Sequence, residues 1–277
     1  MFIDHFHLAS KIAQFPHPPK MHLPQELVDH IVDFLHDDPI ALAQASLVSR
    51  ALLGRTRSYL CETLKITRSK VLSSNPSHLL PLCGYVKVLH YTWPESPIWS
   101  GGPFSANPHL VLDCFEQSEP HTLALHSYGL TSLNEQIMKR PFAKFPCASI
   151  AILELHEISL PHRVFPPFLS LFPNVDDLKI STSQWQEGMW GGDHDAIVEH
   201  TSPPRLRGSF KLLDLPGDEY RGSYHGKILH TLAALPLYFQ TVSLDVRGQP
   251  REAISAFLNS CSGTVRKVFV GHSDCKS

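Results

Sequence analysis

One pattern limits what this chain can fold into: an apolar residue, two others, an apolar, one other, an apolar. Its clearest copies are Val86/Leu89/Tyr91, Ile150/Leu153/Leu155, Val175/Leu178/Ile180, Phe210/Leu213/Leu215 and Val265/Val268/Val270. Two copies are incomplete: Leu123/Leu125 has Pro120 at the first apolar place, and Leu244/Val246 has Thr241 there. The middle positions lie 24 to 35 residues apart, a spacing of the kind found in repeat architectures. The last two apolar residues of each copy, with one residue between them, point the same way in an extended chain, so each copy predicts a short strand. The intervals hold one helix each, at His109–Glu116, Arg163–Leu171, Lys227–Leu235 and Arg251–Cys261. In the last of these, Ala253, Ile254, Phe257 and Leu258 make a stripe that can lie on a sheet. Strand, crossover helix, strand is how parallel neighbours are joined. The expectation is an irregular α/β solenoid, each repeat burying its apolar face on the next. An ordinary α/β domain with strands at similar intervals satisfies the same pattern.

Composition excludes several classes. Among 277 residues, 18% are charged and the net charge is -2, with no basic run to match a phosphate backbone, so no nucleic-acid partner is expected. No stretch approaches the roughly 18 consecutive apolar residues of a membrane span. The N-terminal MFIDHFHLASKIAQF carries Asp4 and lacks a continuous apolar core, which argues against secretion. Cys61, Cys83, Cys114, Cys147, Cys261 and Cys275 form no CxxC pair and read as free thiols in a reducing compartment, cytoplasmic or nuclear. Catalytic signatures are missing: there is no GxSxG, Walker A, GxGxxG after a strand, or HExxH. Asp193-His194-Asp195 with His200 lacks a known ligand spacing. No catalytic residue, metal or cofactor is assigned, and the chain is not expected to be an enzyme.

Residues 1 to 20 end in FPHPPK and read as a flexible arm. Helical patterning begins after it. Pro24 suits a first helical position, and Leu27, Val28, Ile31, Val32, Phe34 and Leu35 recur at spacings of three and four. Asp38-Pro39 supplies an N-cap and first-position proline for a second helix through Ile40, Leu42 and Ala45, and a third is expected from about Leu47 to Leu60. A module of this size buries little core by itself and needs a partner or an attached domain.

The stretch from Leu23 to Ile66 resembles an F-box domain of the fungal type. The resemblance rests on Leu23-Pro24-x-Glu26-Leu27, Ile31-x-x-x-Leu35, the turn at Asp38, and Ser46-Leu47-Val48-Ser49-Arg50 leading to Arg57-x-x-Leu60. Leu52 stands where the family usually has Trp, and Cys61 where it usually has Phe. The repeats resemble the degenerate leucine-rich repeats often found behind an F-box, without the Asn or Cys that marks a regular repeat. Together the resemblances imply a three-helix F-box (21–67), a linker (68–84) and an irregular leucine-rich-repeat-like domain of parallel strands and intervening helices (85–277). They imply a substrate receptor of a Skp-cullin-F-box ubiquitin ligase, which binds the Skp adaptor, through it a cullin, and a protein client. The adaptor-facing residues would be Leu23, Pro24, Leu27, Ile31, Leu35, Leu47, Val48 and Arg50. The alternative is a repeat-based interaction scaffold outside any ligase, with the helices capping the solenoid.

For a client, the residue between the paired apolar positions faces outward. It is His90, Ala124, Glu154, Lys179, Asp214, Asp245 and Phe269 in the seven copies, a mildly acidic row. Two stretches too long for tight turns, 92–108 and 181–195, predict surface loops, and the second carries Trp185 and Trp190, a residue type enriched where binding energy concentrates.

Overall fold

The computed structural model describes residues 23–67, 76–92, 108–126, 142–156, 165–182, 206–214, 222–245 and 251–271. The chain divides into two compact units, Met1–Thr56 and Arg57–Ser277.

Among the described residues, three helices contribute to the first unit, the third running on past Thr56. Helix α1 is Gln25–Phe34, with Pro24 at its N-cap, one residue earlier than its expected place; the Pro24 carbonyl accepts from the Leu27 and Val28 amides. Helix α2 is Pro39–Val48. As expected, Asp38 caps it, its Oδ1 accepting from the Ile40 and Ala41 amides at 3.0 Å each. Helix α3, Arg50–Leu60, starts later than the sequence suggested. Leu47 and Val48 finish α2, extended Ser49 breaks the helical run, and the Ser49 hydroxyl accepts from the Ala51 amide. A paired bond from the Arg55 guanidinium to the Asp33 carboxylate, 2.8 and 3.0 Å, ties α3 to α1.

The second unit is α/β. Its eight described strands form one open, all-parallel sheet in sequence order: β1 Thr63–Ile66, β2 Val88–Thr92, β3 Thr122–His126, β4 Ile152–His156, β5 Asp177–Thr182, β6 Leu206–Asp214, β7 Leu237–Asp245 and β8 Lys267–Gly271. Five described helices accompany them: α4 Leu80–Cys83, α5 Pro108–Asp113, α6 Phe165–Leu169, α7 Gly222–Ala233 and α8 Arg251–Ser260. Each strand pairs with the next in sequence, an arrangement compatible with the expected solenoid-like stack.

Backbone hydrogen bonds show the repeat directly. Just before β2, β3, β4 and β5, two successive amides donate to a single carbonyl of the preceding unit: Lys87 and Val88 to Glu62, His121 and Thr122 to Lys87, Ala151 and Ile152 to His121, Asp176 and Asp177 to Ala151. The rhythm breaks at β6, where the register with β7 shifts between Gly208 and Ser209.

Strand alternation selects the core. Leu89 and Tyr91, Leu123 and Leu125, Leu153 and Leu155, Leu178 and Ile180, Phe210 and Leu212, and Val242 and Leu244 lie in register and are all buried. Leu112, Phe168, Leu229, Leu232 and Phe257 from the helices join the same cluster. Phe142, Phe168 and Phe172 pack edge to face at 5.5 to 6.1 Å, the geometry that aromatic quadrupoles favour. Burial of each such side chain is worth about 1.5–3 kcal/mol.

Two expected boundaries move. Residues 57–67 belong to the sheet unit rather than to the helical module, because β1 pairs with β2 and Ile66 enters the sheet core. The supposed linker contributes a 3-10 turn at Pro76–His78 and α4, and Cys83 of α4 is in the core; residues 68–75 lie outside the described ones. Among the described residues, no helix is long and apolar enough to cross a membrane.

Candidate functional site

In the helical unit the apolar side chains are mostly on the outside. Val28 and Val32, at i and i+4 on α1, are buried, as is Leu42 of α2. Leu23, Leu27, Ile31 and Phe34, spaced by four, four and three, form a second stripe that is exposed, with Phe34 at 87%. On α2, Ile40, Leu47 and Val48 are 71%, 84% and 80% exposed. Two stripes on one short helix cannot both enter a core this small, and large exposed apolar clusters commonly mark interaction surfaces.

Of the expected adaptor-facing residues, Leu23, Pro24, Leu27, Ile31, Leu47, Val48 and Arg50 are exposed, and Leu35 is half-buried. Phe34 and Ile40 were not among them, yet they are more exposed than Leu27 and Ile31. Their signal was spacing alone: Phe34 follows Ile31 by three residues and Leu27 by seven. Leu52 is half-buried.

The sheet's outward face differs from the expectation. In register, the outward row runs Lys65, His90, Ala124, Glu154, Lys179, Lys211, Ser243 and Phe269. Asp214 and Asp245 are therefore not in it. Phe210 takes the core place on β6, where its ring stacks on Phe239 at 5.3 Å and meets Phe257 at 5.0 Å. This puts Asp214 in the strand phase of Phe210 and Leu212, paired with Thr182. On β7 Val242 and Leu244 are the core pair; Asp245, two residues past Ser243, keeps the outward phase but lies one step further along, paired with Gly271 and buried at the strand's end. The row carries three lysines and one glutamate, basic rather than mildly acidic. Trp185 and Trp190, like Asp193, His194, Asp195 and His200, lie outside the described residues.

Across the middle strands this face holds a polar network. His90 stacks on His126 and His126 on His156, the latter pair nearly parallel with ring centres 4.5 Å apart. His156 Nδ1 hydrogen-bonds the Ser181 hydroxyl at 2.7 Å, and its Nε2 lies 3.4 Å from Glu154 Oε2. The Lys179 ammonium donates to Glu154 Oε1 at 2.6 Å. Partial burial pushes the Glu154 carboxyl up, but its bond to the Lys179 ammonium and the His156 ring outweigh that and hold it below the ordinary value. His90 is lowered, first by burial and then by the Lys65 charge.

A serine, a histidine and a carboxylate in series is the layout of an acyl-transfer triad, but that chemistry needs a nucleophile open to substrate. Ser181 is buried, and Glu154 is neutralised by Lys179. The network ties neighbouring repeats together. Among the described residues no group of three His, Cys, Asp or Glu is placed to hold a metal ion. The described cysteines form no disulfide, and burial raises the thiols of Cys83 and Cys147 to about 12, which keeps them protonated and inert. No protein-family model matches the chain, and no curated protein is significantly similar to it.

Proposed function

We propose that this chain is an adaptor-docked recognition subunit: α1 and α2 bind the Skp adaptor of a Skp-cullin-F-box ubiquitin ligase, and the parallel sheet, read as degenerate leucine-rich repeats, carries a protein client. The observation that supports this most is the exposed apolar set Leu23, Leu27, Ile31, Leu47 and Val48, on a unit that buries few apolar side chains of its own. These are the positions at which the F-box resemblance expects adaptor contact. An amphipathic helix that keeps a full apolar stripe exposed is suited to a groove on a partner. Docking of this kind is driven by apolar burial and depends weakly on salt. In this reading the chain performs no chemistry and brings its client to the ligase.

Co-purification with the Skp adaptor tests the proposal. The wild-type chain is expected to carry the adaptor through a column in about 0.5 M salt, roughly three times physiological strength. The Leu27→Asp/Ile31→Asp variant is expected to lose it while keeping the circular dichroism spectrum of the wild type. Retention of the adaptor by that folded variant overturns the docking assignment. If the wild type itself fails to bind, the scaffold alternative takes its place.

A further inference from the structure

We propose that the cavity at the starts of β6, β7 and β8 is a binding site for an organic phosphate monoester. The cavity measures about 650 Å³ and is lined by Arg207 of β6, Tyr238 and Gln240 of β7, and the turn Gly263–Arg266 that leads from α8 into β8. It sits where the repeat rhythm of the sheet breaks. Gly208, beside Arg207, has a left-handed φ of 69°, and Gln240 is the extra residue that the register shift leaves on β7. The Gln240 carbonyl accepts from the Arg266 amide at 2.8 Å, and the Thr264 hydroxyl donates to the Phe239 carbonyl at 3.0 Å. These bonds fasten the turn to β7, and the β6–β7 ladder holds the third segment, so that two guanidinium side chains share one cavity. Irregularities of this kind re-aim side chains and are frequent beside functional sites.

The chemistry of the lining selects the ligand class. Among the described residues no carboxylate lines the cavity, and neither Arg207 nor Arg266 has an ion-pair partner. Two like charges on one cavity repel, and a dianion offsets both at once. A phosphate monoester carries close to two negative charges and three acceptor oxygens, matched to two planar guanidinium forks. A carboxylate supplies only one charge. The Gln240 amide and Tyr238 hydroxyl are further donors. The space exceeds what a bare inorganic anion fills and lies within the ~300–1,000 Å³ range of small-ligand pockets. The half-exposed Tyr238 ring and Val265 offer apolar walls to the organic part. This inference is independent of adaptor docking.

The ester has two possible sources, a phosphorylated protein side chain and a free small molecule, and titration calorimetry of the full chain at low salt separates them. The probes are a phosphoserine peptide, glucose 6-phosphate, inorganic phosphate, and the unphosphorylated peptide and glucose as controls. At least one ester is expected to bind saturably and more tightly than inorganic phosphate, with the peptide or the sugar phosphate preferred according to source. Arg207→Ala and Arg266→Ala should each weaken it by about tenfold or more. Arg207→Lys and Arg266→Lys, which keep the charge and lose the fork, should fall between and serve if either alanine variant is unstable. Ester binding no tighter than inorganic phosphate, or unchanged in every arginine variant, overturns the proposal.

Discussion

In the sheet unit, Phe142, Phe168 and Phe172 close on one another and are buried; in the helical unit, Phe34 stands 87% exposed. The contrast extends to whole elements. Strands β2 to β7 each place their paired apolar residues in one continuous core, while α1 and α2 bury three apolar side chains and leave six large ones outside. Both units are written with the same residue types. What separates them, among the described residues, is whether the apolar stripe is covered. The sheet's apolar row is answered by described helices, and the helical unit's second stripe is exposed. The sheet should therefore unfold as a body of appreciable intrinsic stability, and the helical unit should gain much of its order on binding.

The sharpest break of this contrast is a pair of aromatic truncations. Phe210→Ala removes a ring packed against Phe239 and Phe257 and should cost about 3–5 kcal/mol in a urea titration followed through the sheet. Phe34→Glu should leave the urea curve within about 0.5 kcal/mol of wild type, yet weaken adaptor binding by an amount typical of an interface hot spot, about 2 kcal/mol or more. Equal effects of the two on stability would erase the distinction.

Glycine substitutions carry opposite signs in the two units. At Gly208 the backbone is left-handed and an added Cβ would run into the Asp176 carbonyl, so Gly208→Ala should destabilise by about 1–3 kcal/mol. At Gly54, inside α3, an added Cβ meets nothing within 4 Å, so Gly54→Ala should stabilise by about 0.5–1 kcal/mol. Thermal melts of the two variants, read by circular dichroism, check both signs.

The smallest effect is electrostatic and confined to the sheet. His90 is held below its ordinary value of 6.5 by burial and by Lys65, so the unfolded chain takes up its proton more readily than the folded one. Stability should fall as pH drops below about 6.5, and His90→Gln should flatten that slope. Glu154 is held below its ordinary 4.5, so its contribution is present above that pH and disappears only as pH falls further. A Lys179→Met variant should lose stability in the neutral range and show a weaker acid transition in that lower window.

The parts of the fold that were legible in sequence are those in which one local signal dominates. Asp38-Pro39 specified the start of α2 through a carboxylate cap, and the stripe at Ala253 and Phe257 specified α8. Strands β2 to β5 were readable because each offers a single alternating phase. Strand β6 offers two, since Phe210/Leu212 and Leu213/Leu215 both fit the pattern, and only the aromatic neighbours Phe239 and Phe257 decide between them. In β7 the extra residue at Gln240 reverses the phase partway along, which a constant period cannot represent. Strand β1 is four residues long and follows a helix directly, so Leu64 and Ile66 were absorbed into the helical stretch. The exposed stripe of the helical unit was visible as spacing, but which of α1's two stripes faces inward depends on α2 and α3. The two arginines of the cavity are brought together only by β6 and the α8–β8 turn, and local sequence carries no trace of that.

Hydrogen-deuterium exchange on the full chain, with and without the Skp adaptor, tests the central contrast most directly. The account predicts that amides of α1 and α2 exchange quickly in the free chain and become protected when the adaptor is added, while β3 to β7 stay protected throughout. Equally slow exchange of α1 and β4 in the free chain, or no added protection of α1 and α2 with the adaptor present in excess, would contradict it.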